Sequence, residues 1–322
     1  MKNCKKYSIF ALAAMAGAAA FAGNSYRVGD DDADWSDIDI WSPAYPTSSD
    51  TANLDSELTT NFTLDTTVAS VTVKGNATLN VESGTLTTTG DFNQAYSTVN
   101  IFGGEIKVGG TQYTVGETND AIDGSRLNVY GEGVLNVGVN NKNGIRIGYN
   151  AVNYDVEANF YDNSAVAGRI RIGSETSGSN ANTTLNVYGN SVVTADYVNL
   201  YQNATLNVYG SAQINASSDL RWGDMTASTA NAVNISGNAS VAARGGFIFD
   251  GATVTVSDNA SLITNGGNGN NLYLGADWNK ASSGAGHLIF EDSATFRVSQ
   301  NLIFLNGSTL TIKGSHLQMA EG

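Results

Sequence analysis

Proline and cysteine are almost missing from this chain of 322 residues. Both prolines, Pro43 and Pro46, fall near the N-terminus, and none occurs from 47 to 322. Proline donates no backbone hydrogen bond, so its absence suits a backbone in which nearly every N–H joins a ladder. The single cysteine, Cys4, leaves no disulfide framework. The two histidines, His287 and His316, lie too far apart in sequence for zinc-ligand spacing. Nucleophile-elbow and phosphate-loop motifs are absent as well. Only 14% of residues are charged while 41% are hydrophobic, which excludes a chain too hydrophilic to fold. Past residue 22 no apolar run is long enough to span a bilayer as a helix.

What is present begins with a basic stretch, MKNCKK, and an apolar run ending in Ala20-Phe21-Ala22. This is the layout of a secretory signal peptide over 1–22. Cys4 precedes the apolar run instead of following it, so a lipoprotein is not indicated. Cleavage removes Lys2, Lys5 and Lys6 and takes the formal net charge from −14 to −17. Such an acidic chain is a poor partner for nucleic acid or an anionic membrane. Any membrane association would run through an anchor outside this sequence. Residues 23–60 are expected to form an acidic leader or N-terminal cap.

The remainder, 61–322, repeats itself. LNVYG occurs at 127–131, 185–189 and 206–210. The wider unit, apolar-x-apolar-x-[Gly/Asp]-x-small-x-apolar, fits VTVKGNATL (71–79), ANFYDNSAV (158–166), VNISGNASV (233–241), VTVSDNASL (254–262) and LIFEDSATF (288–296). VNIFGGEIK (99–107) is a looser copy and LTIKGSHLQ (310–318) closes the series. Alternation of period two predicts strands with Leu127 and Val129 on one face and Asn128 and Tyr130 on the other. The Gly/Asp position predicts a tight turn. A third short strand follows, as in IRIG at 145–148 and 170–173. One unit cannot bury its own apolar face, but stacked units can. The expected fold is therefore all-β, a β-solenoid of about ten three-strand coils, about 50 Å long at one strand spacing per coil. An up-and-down barrel or immunoglobulin-like sandwich is the rival; it would carry Asn-Gly hairpin turns without this fixed register.

These copies of L-N-V-Y-G-x-x-x-L and N-A-x-L-x-[VI] resemble the strand repeats of bacterial autotransporter passenger domains and related secreted β-helix proteins. The resemblance covers about 70–320 and rests on a repeat pattern with no invariant site. It implies a right-handed parallel β-helix, exported and displayed at the cell surface or released from it. It departs from that family in lacking a translocator barrel after the repeats. The chain stops at GSHLQMAEG, partway through a coil. The expectation is a solenoid that continues past Gly322, or whose last rung a partner closes, since a bare parallel edge invites aggregation.

Three features are candidates for binding. The first is a pair of outward columns, Phe102, Tyr130, Tyr161, Tyr188 and Tyr209 beside Asn100, Asn128, Asn159, Asn186, Asn207 and Asn234. Rings can stack on sugars and amides can read hydroxyls; the competing and preferred expectation is a ladder that stabilises the wall. The columns also suit a lateral protein contact. The second is Arg146, Arg171 and Arg221 on the third strand, with Asn199 between them and Arg169 alongside. They could hold an acidic polysaccharide, or pair with Asp196, Asp219 and Asp224. The third, GDDDADWSDID at 29–39, has acids spaced like a calcium loop but Trp35 and Trp41 where glycine and glutamate are required. GGNGNNLYL (266–274) is one imperfect copy of a calcium-binding nonapeptide. No metal and no cofactor is expected, and Asn-x-Ser/Thr triplets such as those at Asn203 and Asn259 fall out of the repeat itself.

The expected function is a secreted or surface-displayed structural or adhesin-like scaffold whose side walls bind extracellular polysaccharide or a surface protein. The alternative is a polysaccharide lyase or glycoside hydrolase on the same fold, for which Asp196, Asp219, Arg221 and Asp224 are the nearest acid–base group. Fold alone does not choose between them.

Overall fold

The structure, a computed structural model, describes residues 23–116, 124–138, 143–151, 153–175, 179–223, 231–266, 270–277, 279–281, 283–314 and 316–319. The signal peptide expected over 1–22 and the candidate residue Asp224 lie outside the described residues.

The chain winds through three sheets in a fixed order. A strand in sheet A, Gln112–Val115, is followed by Arg126–Val129 in sheet B and Val134–Asn136 in sheet C. The next strand, Gly144–Ile147, returns to sheet A and pairs in parallel with Gln112–Val115. Among the described residues, repetition builds sheets of 13, 12 and 11 strands, each strand bonded in parallel to its equivalent one turn away except Trp41–Ser42, which pairs antiparallel with Asn24–Arg27. This is the parallel β-solenoid that the repeats indicate. Among the described residues sheet B has twelve rungs, and nine of the ten motif copies start on them; Ala33–Asp34, Thr59–Phe62 and Thr78–Val81 stack without carrying the motif.

One copy lies elsewhere than the motif indicates. VTVKGNATL (71–79) is not a B-to-C unit: Val71 and Val73 pair with Phe92 and Gln94 in sheet A. The rung's true counterpart of LNVYG starts at Leu79, where Leu79, Asn80 and Val81 pair with Val99, Asn100 and Ile101. Its turn, Glu82-Ser83-Gly84, has neither Tyr nor Gly at the expected places, so the motif slid to the nearest Gly-x-small sequence.

The B-to-C turn changes by one residue, from 101–105 to 129–134, while the A-to-B corner varies far more. Several of these turns close with a backbone bond such as Gly133 N–H to Tyr130 O (2.8 Å) or Ser164 N–H to Tyr161 O (3.1 Å). Gly189 shows why the turn residue is restricted. Its φ is +63°, and a Cβ there would sit 2.8 Å from Asp162 Cα of the preceding rung. Asp162 itself holds φ +55°, a region that Asp tolerates better than most residues.

Inward side chains of the three sheets form one continuous core from Trp35 to Val298. In sheet B the column Leu127, Ala158, Leu185, Leu206 and Val233 is almost fully buried. Each buried Val or Leu contributes about 1.5–3 kcal/mol relative to exposure, repeated rung after rung. At the N-terminal end Trp35 and Trp41 close the core, 4.7 Å apart edge to face, with Trp41 Nε1 donating to Trp35 O. The segment 23–60 thus enters the stack: Asn24–Arg27 pairs with Thr51–Asp55 in sheet A. At the far end Phe304 and Ile312 are 46% and 43% exposed.

Candidate functional site in the walls and the A-to-B corner

The outward asparagines of sheet B form an unbroken amide ladder. Asn128 Nδ2 donates to Asn100 Oδ1 at 2.9 Å, Asn159 to Asn128 at 3.0 Å, and Asn186, Asn207 and Asn234 each to the preceding rung at 2.8 Å. The ladder runs further than the motif indicates, through Asn80 and Asn61, and ends on Asp32, whose Oδ1 accepts from Asn61 at 2.7 Å. Every donor points toward the N-terminal end, and a carboxylate sits where the donors point. Chains of aligned hydrogen bonds polarise one another, and an anion at the donor-facing end completes that alignment. Contact between rungs leaves Asn159 and Asn186 only 4% and 5% exposed, although they lie on the outer face.

The aromatic column is a stack. Phe102 and Tyr130 lie 5.1 Å apart at 9°, Tyr130 and Tyr161 4.8 Å at 4°, and Tyr161 and Tyr188 5.2 Å at 10°. Tyr188 and Tyr209 follow at 5.6 Å and 28°. Each interior ring has both faces covered by its neighbours, so a sugar ring cannot lie on them. What faces outward is a row of ring edges and hydroxyls. Burial holds the Tyr161, Tyr188 and Tyr209 hydroxyls above the usual phenol pKa, and adjacent phenols and Glu157 add to this at Tyr161 and Tyr188.

Sheet A places Arg146, Arg171, Asn199 and Arg221 in register, as the sequence reading has them. Segments before and after the sheet A strands fold over these side chains. Arg146 is 6% exposed and meets Glu175 Oε1 at 3.0 Å, Gln112 Oε1 at 3.0 Å and the Tyr149 ring. Glu175 also takes Arg171 at 3.1 Å. Arg169 pairs with Asp196 at 2.9 Å, and the Tyr197 ring lies between Arg169 and Arg221, 4.8 and 4.4 Å from their guanidinium carbons. Of the acids named from sequence, Asp196 is a partner; Glu175, which shields two arginines, was missed. Glu175, Tyr149 and Tyr197 lie outside the repeat unit, and the only signal for them was their place in the segments joining the strands.

The acids of 29–39 are used in local bonds. Asp31 accepts from Thr59 N–H, Asp34 from Ser36 and Thr63, and Asp32 from the asparagine ladder. Among the described residues no group of three or more His, Cys, Asp or Glu is placed to hold a metal ion. Of the 266–274 copy, 267–269 lie outside the described residues, and Asn271 bonds Tyr273 Oη and Asn301.

A further feature, outside the repeat motif, lies at the A-to-B corner. A polar groove of about 540 Å³ runs beside the starts of five successive B strands, from Asn76 to Thr184. Its walls carry Tyr96, Thr98, Arg126, Asp155 and Glu157. It arises because the corner is short between Gln94 and Thr98 and long between Ile172 and Thr183. Compared with family models, curated proteins and solved structures, the chain matches none of them.

Proposed function

We propose that this chain is an exported β-helical scaffold of the autotransporter-passenger kind, displayed at a cell surface or released from it, which acts by binding extracellular glycan or a surface protein. The observation that supports this reading is how the wall side chains are used. The asparagine and tyrosine columns bond and stack along the axis, and the arginines of sheet A are matched by Glu175, Asp196 and Tyr197. Such columns rigidify a rod and hold its surface in place, which serves presentation. The acid–base group considered for the enzyme alternative is drawn into this matching: Asp196 is paired to Arg169 and Arg221 lies on Tyr197.

The test joins location to turnover. The chain expressed in its native host is expected in the surface or culture fraction, and purified chain is expected to be retained on a polysaccharide or cell-surface preparation without cleaving it. Release of reducing or unsaturated sugar ends from a polysaccharide panel would replace this reading with the lyase or hydrolase.

A further inference from the structure

The corner groove has the chemistry of a sugar site, and the tyrosine column does not. Its volume, about 540 Å³, lies inside the range of small-ligand sites. Among the described residues, the Tyr96 and Thr98 hydroxyls, the Thr184 hydroxyl, the terminal nitrogens of Arg126 and one oxygen of Asp155 hold no hydrogen bond or ion pair. Donors, acceptors and both charge signs therefore converge there, with one aromatic ring. Arg126 meets Glu157 only at 3.8 Å and through Nε, which leaves its planar fork open.

Two independent details point the same way. The Ser125 hydroxyl, in the groove wall, is fully buried and has no partner. Buried hydroxyls without a partner are rare and costly, and a ligand hydroxyl or its bridging water would satisfy this one. Tyr96 holds φ +34°. Positive φ is an outlier for a bulky residue and gathers at functional positions. Among the described residues, the other non-glycine residues in this region are Asp, Asn and Lys.

We propose that this groove binds a segment of a neutral oligosaccharide lying along the rod axis. Four rung spacings, about 19 Å, give room for a short extended chain. Two carboxylates against one guanidinium, on a chain of net charge −14, disfavour a uronate polymer. A peptide is disfavoured because the strand starts here are already bonded to their neighbours, as Arg126 N–H is to Ser97 O at 2.9 Å, which leaves no free edge for an added strand. This rests on the binding reading given above and names the ligand class and the residues for it: Tyr96 as the ring against the sugar's C–H face, and Thr98, Arg126, Asp155 and Thr184 as partners for its hydroxyls.

The test is titration calorimetry of the full chain with cellohexaose, laminarihexaose, maltohexaose and mannohexaose, and with hexagalacturonate as the acidic comparison. At least one neutral hexasaccharide is expected to bind with Kd below about 1 mM. Tyr96→Ala and Arg126→Ala are each expected to weaken that binding by about tenfold or more, while Tyr161→Ala changes it less than about twofold. Far-UV dichroism checks that each variant keeps its strands; Thr98→Val, which alters one half-buried hydroxyl, serves if Tyr96→Ala does not fold. Tighter binding of hexagalacturonate overturns the neutral class. Binding that Tyr161→Ala abolishes and the groove variants spare overturns the groove and keeps the wall-binding reading. No binding of any neutral hexasaccharide at about 10 mM overturns the groove proposal, and the wall-binding reading then stands or falls on the retention test above.

Discussion

On sheet B the outward column repeats one residue, asparagine, from Asn61 to Asn234, whereas on sheet A the column in the same stack reads Thr72, Asn93, Thr114, Arg146, Arg171, Asn199, Arg221 and Phe247. Both columns sit on strands with the same parallel register. The uniform one is satisfied along the axis, each amide by the amide of the next rung. The mixed one is satisfied sideways, by loops that cross it and bring Tyr149, Glu175 and Tyr197. Near its C-terminal end the same wall turns apolar, where Phe247 stacks on Tyr273 at 5.2 Å and Ala276 covers the pair. Uniform columns therefore answer to stacking. Mixed columns and uneven corners are where a rung acquires character of its own, and the groove lies at such a corner.

The comparison predicts that sheet A fails harder when one partner is removed. Glu175→Ala would leave Arg146 buried against only a neutral amide and a ring, and Arg171 without its nearest acid. Removing one partner of a buried pair costs about 3–5 kcal/mol. Because Glu175 is itself 24% exposed, about 2–3 kcal/mol is expected here. Chemical denaturation reads it. The double variant Glu175→Ala with Arg146→Met should recover part of the loss, since no charge then remains buried at that rung. A Glu175→Ala loss below that of any ladder variant would reverse the ranking of the two walls.

On sheet B the matching experiment is Asn186→Ala. Asn186 donates to Asn159 and accepts from Asn207, so the change strands one acceptor and one donor at once. The expected loss is about 2 kcal/mol, within the range for unsatisfied buried polar groups. Asn234→Ala, at the open end of the ladder, strands a single acceptor and should cost about half as much. Equal losses at both positions would mean that the ladder is a row of independent bonds to solvent.

Sheet B was readable from sequence because its determinants are local and periodic. Leu185, Asn186, Val187, Tyr188 and Gly189 carry inward burial, the ladder, the ring stack and the turn within five consecutive positions, and the next copy repeats them at 206–210. The early rungs were misplaced because Glu82-Ser83-Gly84 makes the same turn with different residues. The orientation of the rings was not readable: alternation says that Tyr188 points outward but not that rungs about 4.8 Å apart force ring onto ring. The groove was not readable at all. Arg126 shares a column with Thr98 and Glu157, and Tyr96 and Asp155 each stand two places before that column, but a different residue type fills these positions on every rung, so no repeated letter marks them.

Ring stacking gives a smaller effect than the amide ladder. Tyr161→Ala removes two stacked contacts and should cost about 1–2 kcal/mol, whereas Phe102→Ala removes one and should cost about half of that. Tyr161→Phe keeps the stack and should be close to neutral at pH 7. Denaturant midpoints distinguish the three; similar midpoints for Tyr161→Ala and Tyr161→Phe would show that the ring faces contribute nothing.

The smallest difference is expected at alkaline pH. Burial raises the Tyr161, Tyr188 and Tyr209 hydroxyls above the usual phenol value, with adjacent phenols and Glu157 adding to it at the first two. An unfolded tyrosine ionises near pH 10. The folded form keeps its proton longer, so stability held by the column is intact below about pH 10 and falls as pH rises through the higher folded values. Tyr113, wholly buried in sheet A, titrates in the same direction through burial alone. The triple variant Tyr161→Phe, Tyr188→Phe, Tyr209→Phe keeps the rings and removes the column's titration. Its denaturant midpoint should match the parent at pH 7 and decline less steeply above about pH 10, with Tyr113→Phe removing a further part of the slope. Parallel decline of parent and triple variant would mean that the hydroxyl row is as wet as free tyrosine, and sheet B would then hold together through its amides and core alone.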